Sequence, residues 1–368
     1  MFNDASIEAL FTRRSHNPSY FEVQAALDPE HPLLDFCVPV NPYFPPAEMT
    51  RRIQANLADI LKFYPDYSLS HQSAIAAFTG LPDANIVPAN GSTEIITQLC
   101  SGLKGALVTP VPTFGRWTDL PLEAGMKVRF IERKAENGFH VSVDTMVDAV
   151  AATKAHAAVI CNPDNPTGAS MRPSEVAQLV RRLAHIPLIV IDESFIDFSD
   201  IESASHLAVD SPNVVIVKSM GKALGWHGIR LGYAVANAQL AEELRNALPY
   251  WNINGLASFV LKNIGDFKDL YAASFRRIAR DRRYMIERLS SVEGIDVYPS
   301  ATNFVYCKLH AAGSGQALRT RLLRDFGVLI RECGNKIGST SDHLRLAVLP
   351  RDSVDRLVAA MKHCIPVD

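Results

Sequence analysis

The chain has 368 residues, of which 48% are hydrophobic and 21% are charged, a balance typical of a folded globular protein rather than a disordered one. This length is too great for one simple core and allows one large domain with a smaller one. The formal net charge of −2 supplies no basic field for nucleic acid or an anionic membrane, so we expect neither as a partner.

The sequence shows no targeting segment and no metal-binding pattern. No apolar run is long enough to span a membrane, and residues 1–16 lack the apolar core of a signal peptide, so we expect a cytoplasmic protein. The six cysteines are scattered, without a C-x-x-C pair or a His/Cys cluster. They predict neither a disulfide framework nor a bound metal.

Short apolar runs alternate with amphipathic segments between about residue 85 and residue 237. This alternation predicts an α/β fold in which helices cover both faces of a mainly parallel sheet. Ligands of such sheets bind beyond the carboxyl ends of the strands, so the residues that follow each run carry the functional signal. The runs span residues 105–110, 127–132, 157–162, 188–192, 213–219 and 231–236.

Polar, turn-forming residues follow these runs, in places where a core has no use for them. The turn Gly91-Ser92-Thr93 opens a helix and offers N–H groups and two hydroxyls to an anion, although Ser and Thr are also common N-caps. In the stretch NPDNPTG, two Asn-Pro steps and a glycine predict a rigid turn that presents Asn165. Asp192 directly follows four apolar residues, where a buried carboxylate needs a cationic partner or serves as an N-cap.

The chain changes character after about residue 251. A long polar-rich helical stretch, 268–292, precedes apolar runs at 303–309, 327–332 and 344–349 and a closing helix, which predicts an α+β second domain. We therefore predict a large domain over residues 46–250, a small domain over 251–368, and an N-terminal segment, 1–45, that packs with the small domain.

Two lysines, Lys218 and Lys222, lie four positions apart in the stretch VKSMGKALGWHGIRLGY. A lysine that forms a Schiff base with a cofactor needs neighbours that hold the cofactor's other end. Ser219 lies three residues before Lys222 and Arg230 lies eight residues after it, whereas the same offsets from Lys218 fall on a valine and a tryptophan. Lys222 is therefore the better candidate.

The motif S-x-x-K followed by ALGWHGIRLGY, with NPDNPTG and DESF upstream, resembles the pyridoxal-phosphate enzymes of aminotransferase class I/II, fold type I. The motifs fall in that family's order and at its approximate spacing, and the resemblance covers nearly the whole chain. It implies a seven-stranded, mainly parallel sheet between helices plus a smaller α+β domain. It also implies pyridoxal 5′-phosphate as the cofactor and a homodimer as the assembly.

The resemblance assigns a role to each motif residue. Lys222 would carry the cofactor and later act as general acid and base, and Asp192 would keep the cofactor's pyridine nitrogen protonated. The remaining cofactor contacts implied are Asn165 at the phenolic oxygen, Phe114 stacked on the ring, Ser92, Thr93, Ser219 and Arg230 at the phosphate, and Tyr64 at the phosphate in the neighbouring subunit.

Two other interpretations of this motif stay open. S-x-x-K also occurs in penicillin-interacting serine enzymes, where Ser219 would be the nucleophile, but their companion motifs S-D-N and K-T-G are absent from the sequence. A regulatory protein that binds the cofactor without catalysis is the second alternative. The joint presence of Lys222, Asp192 and Asn165 argues against it.

Further stretches, among them DESFIDF, ATNFVY and IRECGN, resemble the group of histidinol-phosphate aminotransferases and threonine-phosphate decarboxylases. DESFIDF and IRECGN favour the decarboxylases. These usually begin with His-Gly-Gly, whereas His16 is followed here by Asn17 and Pro18, and NPYFPP resembles the aminotransferases. Phe195 stands where most transaminases carry a tyrosine that bonds the cofactor's phenolic oxygen.

Two arginines are predicted to face the substrate by the same resemblance. Arg345 in HLRLAV matches the position that holds a carboxylate or phosphate, and Arg331 in LIRECGN matches an additional anion-binding arginine. We therefore expect a small amino acid or amine with a phosphate or phosphonate. Decarboxylation is the preferred reaction and transamination the alternative, while the basic pair Arg13-Arg14 is interpreted as solvated.

Overall fold

The computed structural model describes residues 4–11, 18–26, 33–311 and 313–365. The helices are α1 Asp4–Phe11, α2 Tyr20–Ala26, α3 Ala47–Lys62, α4 Ser68–Thr79, α5 Ser92–Gly102, α6 Arg116–Glu123, α7 Val143–Thr153, α8 Pro173–Arg182, α9 Ser205–Asp210, α10 Met220–Ala223, α11 Ala238–Asn246, α12 Gly255–Asn263, α13 Lys268–Ser290, α14 Gly315–Phe326 and α15 Arg351–Cys364. The strands are β1 Leu34–Asp35, β2 Ile86–Ala89, β3 Ala106–Val111, β4 Lys127–Glu132, β5 Ala157–Cys161, β6 Leu188–Asp192, β7 Val214–Lys218, β8 Gly232–Val235, β9 Ile295–Val297, β10 Phe304–Leu309, β11 Val328–Leu329, β12 Arg331–Glu332 and β13 His343–Ala347.

A seven-stranded sheet forms the centre of the large unit, in the order β2-β8-β7-β6-β5-β3-β4. Strands β3 to β7 run parallel, whereas β8 is antiparallel to both of its neighbours, β7 and β2. Strands β5, β6 and β7 are buried along their whole length, because apolar layers pack on both faces of the sheet. The predicted fold class is confirmed.

A four-stranded antiparallel sheet, β12-β13-β10-β9, forms the centre of the small unit. Helices α13 and α15 pack against it and share its apolar core. The run predicted as one strand over 327–332 is divided into β11 and β12 at the fully buried Ile330. Strand β11 turns away to pair with β1 of the N-terminal segment, so a parallel two-stranded ladder ties that segment to the small unit.

The packing of α12 bears on where the large unit ends. Its buried residues Ala257, Val260 and Leu261 belong to the core of the large sheet, and the helix contacts α3 and α4. We therefore place the proposed domain boundary near residue 268, at the start of α13, rather than at 251. No helix among the described residues is long and apolar enough to cross a membrane.

Candidate active site

A cavity of about 380 Å³ lies at the carboxyl ends of the large sheet, between the two units. It brings together residues predicted from separate motifs: Ser92, Thr93, Phe114, Asn165, Ser219, Lys222, Arg230, Arg331 and Arg345. Asp192 lies beneath them, in a small adjoining pocket that Asn165 and Lys222 also line. Strand order produces this convergence, because neighbouring parallel strands end at the same edge of the sheet.

Lys222 lies on the short helix α10, directly after the buried strand β7. Its Nζ donates a hydrogen bond to Ser219 Oγ at 2.9 Å and lies 4.9 Å from the centre of the Phe195 ring. Burial lowers the pKa of Lys222 to about 8, and the charge of Arg230 adds to this, while Asp192 opposes it. A lysine with such a pKa is partly neutral near pH 8 and can act as a nucleophile toward a carbonyl group.

Lys218 has the opposite environment. Its Nζ forms an ion pair with Glu193 Oε2 at 2.6 Å and donates a hydrogen bond to Ser203 Oγ at 3.0 Å. Burial lowers the pKa of Lys218, but the Glu193 carboxylate, together with Tyr233 and Asp197, outweighs burial and raises the pKa above the ordinary value for lysine. Lys218 stays charged and paired, so Lys222 is the lysine suited to covalent chemistry.

Asp192 ends strand β6 with its carboxylate held by two donors. Trp117 Nε1 donates to Asp192 Oδ2 at 2.8 Å, and the backbone N–H of Ser194 donates to Oδ1 at 2.9 Å. Asp192 is 2% exposed and Trp117 is fully buried. The two bonds fix the carboxylate beneath the cavity, where it can pair with a protonated ring nitrogen.

An anion cradle surrounds the N-terminus of α5. Gly91 is the N-cap of this 11-residue helix and has a φ of +75°. A Cβ at this position would lie 2.5 Å from Arg230 Nη2, so the absence of a side chain lets the guanidinium lie over the helix start. The N–H groups of the first turn, the buried hydroxyl of Ser92 and that of Ser219 complete a set of donors that suits a phosphate.

The wall that the small unit contributes is cationic. Arg345 on β13 donates to Asn165 Oδ1 at 2.7 Å and to the carbonyl of Cys37 at 2.5 Å, while its buried Nε has no hydrogen-bond partner among the described residues. Arg331 on β12 donates from Nη2 to Asn335 Oδ1 at 2.6 Å. Both guanidinium groups line the cavity and can receive anionic groups of a substrate.

Tyr64 does not line this cavity. It is 81% exposed and its ring stacks on Trp251 at 4.8 Å, on the outer surface between α3 and α4. Its predicted role needs a second subunit and stays a prediction. Arg13, Arg14, His16 and Asn17 lie outside the described residues, whereas Pro18 lines the cavity.

Three functional candidates in the structure were missed from the sequence. Trp117 supports Asp192, while His227 and Lys336 line the cavity. Burial lowers the pKa of His227 to about 3, with further lowering by Lys222 and Arg230, so its imidazole is neutral. Trp117 lies three residues after Phe114 and Lys336 lies five after Arg331, and this closeness to predicted residues was the available signal.

Comparison with known proteins identifies the family. The model of aminotransferase class I and II matches residues 31–361, so the chain belongs to that family, as predicted from the sequence. Among curated proteins, it is similar to an L-serine phosphate decarboxylase from Sulfurospirillum multivorans, with 30% identity over 95% of this chain and 92% of that protein. A histidinol-phosphate aminotransferase from Archaeoglobus fulgidus is 29% identical over 88% and 90% of the two chains.

A solved structure of a decarboxylase from Sulfurospirillum multivorans aligns with a TM-score of 0.88 and 28% identity, and covers 98% of this chain and 95% of that one. A CMP-5′-(3-aminopropyl)phosphonate synthase from Streptomyces rubellomurinus is 31% identical over 90% of this chain. The chain spans 53% of the length of that synthase and 60% of another curated relative.

The residues of the cavity fit pyridoxal phosphate. The cradle at Gly91, which a Cβ would fill, is matched to a phosphate, and Asp192 lies where an acidic partner for a ring nitrogen is needed. Phe114 and Asn165 line the space between these two ends, next to Lys222. On the basis of this arrangement, we propose that these residues make the cofactor contacts that the sequence resemblance implies.

Proposed function

We propose that the chain is a decarboxylase of a small amino acid that carries a phosphate or phosphonate. The observation that carries the proposal is the cationic wall of the small unit, where Arg331 and Arg345 face Lys222 across one cavity. A substrate with a carboxylate and a second anionic group uses both guanidinium groups. The similarity to an L-serine phosphate decarboxylase over nearly the full length of both chains supports the same assignment.

Each group of the cavity has a proposed task. Pyridoxal phosphate, when bound, supplies an electron sink for the bond that breaks at the substrate's α-carbon. Lys222 provides the covalent attachment and moves a proton at that carbon, while Arg345 holds the substrate and thereby sets which bond faces the sink. Asp192, fixed by Trp117, keeps the ring nitrogen protonated.

The test is product analysis of the holoenzyme with O-phospho-L-serine and O-phospho-L-threonine, each with and without 2-oxoglutarate. We expect carbon dioxide and the phosphorylated amine, whether or not the oxo acid is present. Lys222→Ala is the control and should form neither product. A keto product that appears only with 2-oxoglutarate would instead establish a transaminase.

Transamination of a histidinol-phosphate type is the second candidate, because a histidinol-phosphate aminotransferase is similar over most of the chain. Histidinol phosphate carries no carboxylate and would leave one of the two arginines without an anion. Arg345→Ala separates the candidates. For a decarboxylase we expect KM for the phosphorylated amino acid to rise by about 100-fold, as for a lost charge-assisted bidentate contact. An unchanged KM would remove the assignment of Arg345 to the carboxylate.

We further propose that the enzyme is a homodimer in which Tyr64 contacts the phosphate of the neighbouring subunit's cofactor. A patch of exposed aromatic residues supports this, since Tyr64 and Tyr67 both lie against Trp251 and Tyr250 beside them is 89% exposed. Such a patch is typical of a buried interface. The cytoplasmic location expected from the sequence stays a prediction.

Mixing two inactive variants tests the shared site. In a hybrid dimer of Lys222→Ala and Tyr64→Ala subunits, one site has an intact Lys222 and an intact Tyr64. We expect the mixture to recover activity that neither variant has alone, with dimers seen by analytical ultracentrifugation. A monomer, or a mixture as inactive as its parts, would contradict the proposal.

A further inference from the structure

Lys336 is a third cation on the wall that the small unit contributes. It lies in the turn after β12, where its backbone N–H donates to the carbonyl of Cys333 at 3.0 Å. Its side chain crosses to the large unit, and Nζ donates to the carbonyl of Thr113 at 3.1 Å. A Cβ on Gly338 would lie 3.0 Å from the backbone nitrogen of Pro112, so the turn is pressed against the loop after β3 and Lys336 is held in place.

The ammonium group of Lys336 has no carboxylate partner within ion-pair distance among the residues that the structure describes. The carboxylate whose charge acts on it is that of Asp164, which is fully buried and already accepts hydrogen bonds from the hydroxyls of Thr113 and Thr167. Asp119, which lies on the cavity wall, accepts a hydrogen bond from the Thr118 hydroxyl. A half-buried cation without an acidic partner is a costly arrangement that an incoming anion relieves.

Burial, together with the charges of Arg331 and Arg345, lowers the pKa of Lys336 to about 8, although Cys333 and Asp164 act in the opposite direction. The Cys333 thiol is itself neutral, because burial raises its pKa. Lys336 is therefore largely protonated at pH 7, and a bound anion would stabilise the charged form.

The positive charges of the cavity can be compared with the negative charges of a substrate. With Arg230 assigned to the cofactor's phosphate and Asp192 to its ring, the cations left for the substrate are Arg331, Arg345 and Lys336. An α-carboxylate carries one negative charge, and a phosphate monoester carries nearly two at neutral pH. An amino acid with both groups therefore brings about three negative charges to the three cations, whereas an ordinary amino acid brings one.

We propose that Lys336 binds the distal phosphate or phosphonate of the substrate together with Arg331, and so makes the site selective for amino acids with a second, doubly charged anion. This inference rests on the proposed function, because it places that substrate class in the same cavity. Arg345, which donates a hydrogen bond to Asn165, then binds the α-carboxylate.

The test is binding of unreactive anions to the holoenzyme, measured by isothermal titration calorimetry. The probes are 3-phosphonopropionate, which has a carboxylate and a phosphonate, and butyrate, which has the carboxylate alone. Lys336→Gln retains a donor for the Thr113 carbonyl and removes the charge, and Lys336→Arg retains the charge. Lys268→Met is the matched control, because Lys268 also donates to a backbone carbonyl, that of Ala77 at 2.7 Å, but does not line the cavity.

We expect Lys336→Gln to weaken 3-phosphonopropionate about 10- to 100-fold, as for loss of a charge-assisted hydrogen bond, and butyrate less than about 3-fold. Lys336→Arg should stay within about 5-fold of the wild type for both. Wild-type affinity for the phosphonate should fall as the pH rises above about 8, and Lys336→Arg should lack this fall, since arginine stays charged.

If the wild type prefers 3-phosphonopropionate, and Lys336→Gln loses equal affinity for both probes or loses none for 3-phosphonopropionate, the role of Lys336 would be overturned. The proposed function would be left standing by that result. A wild type that binds 3-phosphonopropionate no better than butyrate would instead overturn the substrate class of the proposed function. Lys268→Met should match the wild type for both probes, and a loss as large as that of Lys336→Gln would show that the effect is not local.

Discussion

Replacing each of the two neighbouring lysines by methionine should change the stability of the cofactor-free protein in opposite directions. Methionine has a similar length and no charge, so each substitution removes an ammonium group with little change in volume. Lys222 lines a cavity and has a lowered pKa, whereas Lys218 forms an ion pair with Glu193 at 2.6 Å. The same chemical change therefore removes an unfavourable charge at one position and a favourable pair at the other.

The magnitudes follow from the two environments. A pKa of about 8 for Lys222, against 10.5 for an ordinary lysine, means that its charged form costs up to about 3 kcal/mol in the folded state below pH 8. Solvent in the cavity and the lost bond to Ser219 reduce this, so Lys222→Met should add about 1–2 kcal/mol to the free energy of unfolding at pH 7. Lys218→Met leaves Glu193 buried without its partner and should remove about 3–5 kcal/mol.

The pH dependence gives a second readout for Lys222. Because its folded pKa lies below its unfolded pKa, the unfolded chain binds more protons between about pH 8 and 10.5, and the stability contribution of this lysine improves as the pH rises. The advantage of Lys222→Met should therefore be largest below pH 8 and shrink as the pH approaches 10.5. Groups common to both proteins cancel in this difference.

Urea unfolding of the apoproteins, followed by fluorescence and far-UV circular dichroism between pH 7 and 9.5, measures these differences. Unfolding of the two units in separate steps would be seen as non-coincident transitions, and each transition would then be compared separately. If Lys222→Met destabilised the protein at pH 7 as much as Lys218→Met does, the account of two different lysine environments would be refuted.

Three further predictions concern the cofactor. Trp117→Phe removes the donor to Asp192 Oδ2 and should speed cofactor loss on dialysis about 10-fold or more. A double-mutant cycle with Asp192→Asn separates the lost hydrogen bond from the lost side-chain volume, and additive effects of the two substitutions would contradict this role of Trp117. Gly91→Ala places a Cβ against Arg230 at a residue with positive φ and should weaken cofactor binding. Gly228→Ala is the control, because a Cβ there would meet no other atom within 4 Å. Equal effects of the two substitutions would contradict the assignment of the phosphate to the cradle at Gly91. Phe195→Tyr supplies a hydroxyl to the cavity and should lower the pH midpoint at which the holoenzyme's near-visible absorbance changes, and an unmoved midpoint would remove the argument from the missing tyrosine.

Much of the sheet was predictable because its buried parallel strands are continuous apolar runs. Runs at 188–192 and 127–132 coincide with β6 and β4. The missed strands are weak signals for physical reasons, since β2 is four residues long and contains Pro88, and β9 has three residues. The antiparallel direction of β8 could not be predicted from its apolar run, because such a run has no polarity that tells the two directions apart.

The candidate site was predictable where a motif is contiguous and unpredictable where a contact joins distant parts of the chain. Lys222, Ser219 and Arg230 lie within one short stretch. Trp117, in contrast, reaches an aspartate 75 positions away, and Lys336 reaches a carbonyl 223 positions away. Apart from their closeness to Phe114 and Arg331 in the sequence, nothing local distinguishes these two side chains from ordinary core and surface residues, so the folded arrangement is what identifies them.

The division of the cavity between the two units has a consequence for how this fold diversifies. The side chains proposed for the cofactor belong to the large unit, whereas Arg331, Lys336 and Arg345 lie within one short stretch of the small unit, on β12, β13 and the turn between them. Exchange of residues 327–349 between relatives would replace the substrate wall as a block and leave the cofactor cradle intact. Grafting this segment offers a route to altered substrate preference while the cofactor site of the large unit stays unchanged.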